Sequence, residues 1–428
     1  MLRSATTAKV AFSAPLVEGF GGPAPVVASF SLFASFALNT ISAILVPRAS
    51  QDDSLSLAGV RVADLLVVVA IVSALLSGVP RGGYLIWGTV SVWIGWTALA
   101  ALGVTSEEFS LYRGLAEWQF AVYLVACWLV FNLLSISQQH AWSRKAVRAH
   151  VALLVLGCIW CAVQGSAGAD FATIGCVIAM FTLAIREIST WERLAAIIPA
   201  VTVVAISGQR AAILLSLIPV FAAIGLWIFK LGTKRISQWL TGLVIVLLVS
   251  LPSALAVRLD ASFRQDVADY ISRTFFREAK QLSVESRYVQ WSVAWADLSE
   301  SPILGQGVGG TVLRYLDPGV DLAARTNITH NSALDFGLRF GSPIGFLLIA
   351  SFVVLVATRV TWAWRSRDYG LWICAWALGA LLAKGMVESV FFKPRLIPAL
   401  AILVCVLLLW PNKGGSRRQI DRRAPIGI

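Results

Sequence analysis

The sequence predicts an all-α, polytopic membrane protein with about twelve transmembrane helices. Of its 428 residues, 58% are hydrophobic and only 14% are charged, and the mean hydropathy is +0.77. A soluble protein needs more polar surface than this composition provides. Apolar runs of about 20 residues recur along the chain, and such a run crosses a hydrocarbon core of ~30 Å as a helix. Backbone groups in lipid must be satisfied within the segment, so helices are expected.

We predict the individual spans from these apolar runs. They lie near residues 26–47, 62–79, 84–104, 118–137, 149–166, 171–185, 194–209, 211–229, 236–257, 338–358, 369–383 and 395–410. The chain then divides into an N-terminal bundle of about nine helices (1–257), a long loop (258–337), C-terminal helices (338–411) and a basic tail (412–428).

The distribution of basic residues predicts the orientation. With the N-terminus in the cytoplasm, 19 of the 35 lysines and arginines fall on the cytoplasmic side. Nine of the others lie in residues 258–339, and long loops are translocated largely regardless of charge. We therefore expect cytoplasmic termini and an extracytoplasmic long loop. The net charge of +12 is spread between the apolar runs, a pattern that argues against nucleic-acid binding.

The long loop carries amphipathic helical patterns. The segment QDVADYISRTFFREAK has the spacing of a helix that lies on the membrane surface. In the next stretch, Tyr288, Trp291, Trp295 and Leu298 recur at helical spacing and leave Gln290 off the apolar stripe. The loop is therefore expected to be helical and ordered.

A lone arginine marks the end of the seventh apolar run. Arg210 stands in AISGQRAAILL, between two spans with almost no loop. A charge there is costly unless it faces a polar cavity or a partner, and Gly208 allows a ligand to approach closely. The alternative is an arginine whose side chain reaches up to the membrane interface.

The loop holds two further candidates. Arg287 alone would be read as a solvated loop arginine, and His330 alone as a capping or interfacial histidine. Histidine can also take a proton from a hydroxyl near neutral pH, or orient that hydroxyl. Gly305 and Gly307 could form a backbone cradle for phosphate, but a tight reversal is the preferred reading of these glycines.

Three segments in order resemble the signatures of the O-antigen ligase superfamily. They are AISGQRAA, SRYVQWSVAWADLSESPILGQGVGG and THNSALDFGLRFGSPIGFL, and they cover residues 200–350. The superfamily includes lipopolysaccharide O-antigen ligases, O-antigen polymerases and exopolysaccharide polymerases. The resemblance implies a GT-C-type fold in the bacterial inner membrane and a periplasmic active site. It also implies glycan transfer from undecaprenyl diphosphate without a metal or another cofactor.

Carried over residue by residue, the resemblance implies that Arg210 and Arg287 bind the diphosphate and that His330 engages the acceptor hydroxyl. Asn331, Gly305 and Gly307 would support the site. Forked guanidinium donors suit a diphosphate. They can neutralise the charge that develops on the leaving group where no DxD pair is present to hold a metal. The acceptor hydroxyl would attack from the opposite face and invert the anomeric configuration.

Several functions remain open at this level. A ligase would use lipid A–core as acceptor, and a polymerase would use another lipid-linked glycan; the motifs do not separate them. A small-anion transporter should show intramembrane charges in repeated halves, whereas Asp64, Lys384 and Glu388 form no repeat. A non-enzymatic assembly partner is a further alternative. Membrane lipids are expected to surround the protein in every case.

Overall fold

The computed structural model describes most of the predicted helical bundle. It covers residues 23–45, 56–57, 60–78, 91, 111–134, 136–185, 187–207, 278–307, 312–317, 320–326, 329–386, 388 and 390–410. Arg210 and the predicted surface helix at 265–277 lie outside these residues, so their predicted roles stay predictions.

The first part of the bundle is built from six helices. They are α1 (Ala24–Leu45), α2 (Val62–Leu76), α3 (Leu111–Leu133), α4 (Ile136–Gln164), α5 (Ala169–Ala184) and α6 (Thr190–Ser207). Helix α1 packs against α2 and α4, and α5 and α6 pack against each other.

The second part combines the loop with the C-terminal helices. Its elements are α7 (Glu278–Glu300), α8 (Ser332–Phe340), α9 (Ser342–Ser366), α10 (Tyr369–Gly385), a 3-10 helix (Val390–Phe392) and α11 (Ile397–Leu409). Helix α11 packs on α3, and α10 packs on α5, so the two parts share one hydrophobic core.

The helical membrane character predicted from composition is confirmed. Nine of the predicted spans correspond to α1–α6 and α9–α11, and the other three fall outside the described ranges. Four of these nine helices are long and apolar enough to cross a bilayer, and the other five are shorter apolar helices. The total of twelve spans and the GT-C arrangement stay predictions.

One predicted span starts too early. We expected a continuous helix from residue 338, but α8 ends at Phe340 and α9 begins at Ser342. Gly341 between them has φ 80°, which favours glycine. A Cβ on Gly341 would come within 1.7 Å of the Ile303 carbonyl oxygen, so the chain turns where only glycine fits.

The structure also adds two short antiparallel hairpins to the all-α prediction. Strands β1 (Ser56–Leu57) and β2 (Val60–Arg61) lead into α2. Strands β3 (Val312–Asp317) and β4 (Val320–Thr326) pair with a bulge near Tyr315, and β3 packs against α7. Both hairpins connect helices, so the bundle itself remains helical.

The first hairpin is fixed by a buried polar group that we name the hairpin network. Arg61 is only 4% exposed, and its Nε and Nη2 donate to the two carboxylate oxygens of Asp64 at 2.9 and 2.7 Å. Its Nη1 donates to Asn39, while Gln119 and Tyr123 donate to Asp64. One cation thus faces one anion in a fork-to-fork pair, the strongest geometry for such a pair.

Candidate active site

Helix α7 carries Arg287 and Gln290 one turn apart. Gln290 is only 1% exposed, together with buried Ala294 and Leu298. Tyr288 and Trp295 of the apolar stripe are 62% and 54% exposed. Helix α7 packs on α8 mainly through small and aliphatic side chains, and these two aromatic residues lie outside that contact.

The residues after α7 form a tight reversal. Gly305 and Gly307 have φ of 69° and 85°. A Cβ on Gly305 would come within 2.3 Å of the Leu338 carbonyl oxygen, and the Gln306 amide donates to that same oxygen at 2.6 Å. These contacts give the two glycines a role in packing the turn against α8. The phosphate cradle considered from the sequence has no support in them.

The segment that carries His330 is held on both sides. The Thr329 carbonyl accepts a hydrogen bond from Trp291 Nε1 of α7 at 3.0 Å. The Thr329 amide donates to buried Asp335 at 2.8 Å, and its hydroxyl bonds to the Asn331 backbone. A side chain on a segment fixed in this way is preorganised, as a catalytic group requires.

His330 itself adopts an unusual backbone conformation. Its φ is 58°, in the left-handed region that few residues other than glycine occupy. The capping role considered for His330 belongs to Asn331, whose Oδ1 accepts from the amides of Ala333 and Leu334 at the start of α8. The half-buried His330 imidazole is therefore not the cap of α8.

Next to this segment lies a group of buried charges that we name the lysine–carboxylate cluster. Its members are Asp170, Thr173, Lys384, Glu388 and Lys393. Lys393 Nζ lies 3.0 Å from Glu388 Oε2 and 3.3 Å from Asp170 Oδ1. Lys384 Nζ lies 3.5 Å from the same Glu388 oxygen and bonds to Thr173 Oγ1. The cluster joins α5 to the segment between α10 and α11.

An aromatic group fixes this segment against the rest of the bundle. Phe391 and Phe392, in the 3-10 helix between Glu388 and Lys393, lie with ring centroids 5.2 and 4.9 Å from that of Phe336 in α8. Phe391 also contacts Phe120 of α3 at 5.3 Å. The charges are thus held on a short helix that is packed on three sides.

Glu388 connects this cluster with two of the predicted site residues. Its carbonyl accepts a hydrogen bond from Ser332 Oγ at 3.1 Å, two residues after His330. Burial raises the pKa of the Glu388 carboxyl, but Lys393, Lys384 and, more weakly, Arg287 outweigh it and lower that pKa to about 2. The structure therefore brings Arg287, the His330 segment and the cluster together.

Asp170 and Lys393 were not recognised from the sequence, and Lys384 and Glu388 were considered only for transport. The available signal was two charges at i and i+4, Lys384 and Glu388, at the end of an apolar run. No residue pattern linked them to Asp170, more than 200 positions earlier. Within the part of the chain that the structure describes, no group of three or more histidines, cysteines and carboxylates could hold a metal ion.

A cavity lies inside the bundle. Its volume is about 410 Å³, and α1, α4, α5, α10 and α11 line it mainly with apolar side chains. Ile174 and Arg395 are among the lining residues; the five members of the lysine–carboxylate cluster are not, whereas Asn39 of the hairpin network is.

The comparison with known protein families agrees with the resemblance seen in the motifs. A search of curated proteins found no match for this chain. A family model described as O-antigen ligase matches residues 194–350, which include Arg210, Arg287 and His330. The resemblance is confirmed: this membrane protein carries the domain of the O-antigen ligase superfamily.

Proposed function

We propose that this protein is a metal-independent, inverting glycosyltransferase of the ligase or polymerase type. It moves a glycan from undecaprenyl diphosphate to an acceptor hydroxyl at the periplasmic face of the inner membrane. The observation that carries the proposal is the convergence on Glu388: Ser332, two residues after His330, donates a hydrogen bond to its carbonyl, and the Arg287 charge contributes to the lowered pKa of its carboxyl. The family match at 194–350 supports the same reaction class.

The charges suit a diphosphate leaving group. Arg287, Lys384 and Lys393 are three cations that meet two carboxylates, Glu388 and Asp170, so this group carries one positive charge in excess. Cations positioned where negative charge develops lower the barrier to bond cleavage. Arg287 supplies the forked donors, and Arg210 is proposed as the second arginine. The apolar cavity inside the bundle suits part of an isoprenoid chain.

His330 is proposed to act on the other substrate. Its imidazole would accept a hydrogen bond, or the proton, from the acceptor hydroxyl as that oxygen attacks the anomeric carbon. The bond from the anomeric carbon to the diphosphate oxygen breaks at the same time, and the electron pair leaves with the diphosphate. A rigid Thr329–Asn331 segment holds the imidazole in place for this step.

The test is transfer by the purified protein in excess EDTA. A labelled undecaprenyl-diphosphate glycan would be offered lipid A–core or a second lipid-linked glycan, which separates ligase from polymerase. Arg287→Lys keeps the positive charge but loses the paired N–H donors of the guanidinium group. We expect the transfer rate to fall on the order of 10²–10³-fold. His330→Ala should abolish transfer and keep donor binding.

Arg148→Lys is the matched control, since Arg148 is exposed and pairs with Glu192 away from the cluster. This variant should retain normal transfer. Normal rates in Arg287→Lys and His330→Ala would contradict the proposed site. Activity that is lost in EDTA and restored by magnesium would contradict the leaving-group chemistry. Anion transport by reconstituted protein without any transfer would favour the transporter alternative.

A further inference from the structure

Gln290 is a buried amide without a hydrogen-bond partner among the residues that the structure describes. Its side chain is 1% exposed, and neither Oε1 nor Nε2 bonds to another of these residues. A buried polar group without a partner loses its hydration and gains nothing in return. Native proteins contain few such groups, and each requires an explanation. Leucine of similar size would fill the same place without this cost.

The packing of α7 fixes where this amide lies. Ala294 and Leu298 follow Gln290 on the same face, and they pack against Leu334 and Leu338 of α8. One residue beyond Gln290, the Trp291 indole donates to Thr329. The two helices therefore run side by side in the same direction, and Gln290 lies level with the His330 segment. Arg287 precedes Gln290 by one helical turn.

We propose that Gln290 recognises the donor sugar that is bonded directly to the diphosphate. The inference rests on the proposed function. Residues at i and i+3 of a helix are about 5–6 Å apart at Cβ, close to the separation between a phosphate and the sugar attached to it. Because both polar atoms of Gln290 are buried, donor binding has to uncover them; with Arg287 on the diphosphate, the amide then meets the hydroxyl or acetamido groups of that sugar. An amide both donates and accepts, so it can bond to either group.

The inference makes an unusual prediction about stability. Gln290→Leu removes two unsatisfied polar atoms, so its thermal midpoint in detergent should equal or exceed that of the wild type. A purely structural role would give the opposite result. Gln119→Leu is the matched control, because the Gln119 amide donates to Asp64 in the hairpin network. That variant should unfold at a lower temperature and keep the donor preference of the wild type.

The decisive measurement compares donors that differ only in the first sugar. Undecaprenyl-diphosphate glycans beginning with N-acetylglucosamine, glucose or galactose would be assayed with wild type and Gln290→Leu. A site that hydrogen-bonds a substrate group discriminates strongly against donors without it. We expect the kcat/KM of Gln290→Leu for the best donor to fall about 10–100-fold, and the ratio between donors to approach one.

The possible failures are distinguishable. If the wild type is active and Gln290→Leu has the same ratio of kcat/KM between donors, the inference about Gln290 is wrong but the proposed function is not. A clear loss of stability in Gln290→Leu would have the same meaning. A wild type that is inactive with every donor would overturn the proposed function and the inference together.

Discussion

Two buried polar groups show how differently the same side chains are used in this bundle. The hairpin network sets one arginine against one aspartate, so it is neutral and its members bond to each other. The lysine–carboxylate cluster, with Arg287 beside it, has more cations than anions, and its Lys393 is 22% exposed. The two groups are similarly accessible, since Asp64 is 24% exposed and Lys393 22%, so their charge balance is what distinguishes them.

The comparison teaches that burial of charge is not by itself a sign of function. Both groups lie in α-helical surroundings where a lone charge would be costly. What separates them is charge balance, together with their neighbours. Glu388 of the cluster accepts a hydrogen bond from Ser332, two residues after His330. Each prediction below distinguishes a structural role from a functional one. They are ordered from the largest expected effect to the smallest.

The largest effect is expected at the hairpin network. Arg61→Met removes the buried cation and leaves Asp64, which is 24% exposed, with only the Gln119 and Tyr123 donors, so we expect a loss of about 1–3 kcal/mol. The thermal midpoint of the variant should fall clearly below that of the wild type. The double variant Arg61→Met with Asp64→Leu removes both charges, and it should recover most of the stability and the transfer activity. If this double variant folds but does not transfer glycan, the hairpin network has a function beyond stability.

The equivalent double variant at the cluster should behave in the opposite way. Lys393→Met with Asp170→Leu removes one cation and one anion, so the net charge is kept and the protein should remain folded. If Lys393 contributes to the charge that receives the diphosphate, transfer should fall on the order of 10²-fold despite normal stability. Full activity in this variant would show that the cluster is as structural as the hairpin network.

The sequence allowed the bundle and the site motifs to be predicted, but not the cluster. Helices and their approximate limits follow from apolar length, which is a local property. Arg287 and His330 stood in recognisable motifs. Asp170 and Lys393 meet only because α5 packs on α10, and no local pattern encodes that contact. Gln290 was placed off the apolar stripe but not singled out, because helical spacing identifies a stripe and not the side of the helix that a neighbouring helix covers.

Acidification should weaken the lysine–carboxylate cluster. Glu388 lies in the segment after α10, and its pKa is lowered from 4.5 to about 2. A lowered pKa contributes stability that is present above about pH 4.5 and is lost as the pH falls toward 2. The thermal midpoint of the wild type should therefore decline over this range.

Glu388→Gln provides the test of that assignment. The variant should be less stable than the wild type at neutral pH, because two lysines lose their shared carboxylate, and its midpoint should change less between pH 4.5 and 2. Asp64→Asn, in the hairpin network, serves as the comparison. If the thermal midpoints of the wild type and of Glu388→Gln depend on pH in the same way, the Glu388 charge does not stabilise the fold.

The smallest effect concerns backbone strain, and it extends the same contrast to two single residues. His330 and Arg367 are the non-glycine residues with positive φ in the described part of the chain, at 58° and 52°. Arg367 ends α9, and its amide bonds to the Ala363 and Trp364 carbonyls, so its conformation serves a helix end. Left-handed backbone costs a side chain roughly 1–2 kcal/mol, which glycine avoids. Arg367→Gly should therefore raise the unfolding free energy by about 1 kcal/mol and leave transfer unchanged.

His330→Gly relieves the same backbone cost but removes the imidazole, so it should fold at least as well as His330→Ala and transfer no glycan. Paired thermal unfolding and transfer assays on the three variants measure both quantities. Activity in His330→Gly would mean that the position requires only its backbone shape, and the proposed role of the imidazole would be wrong.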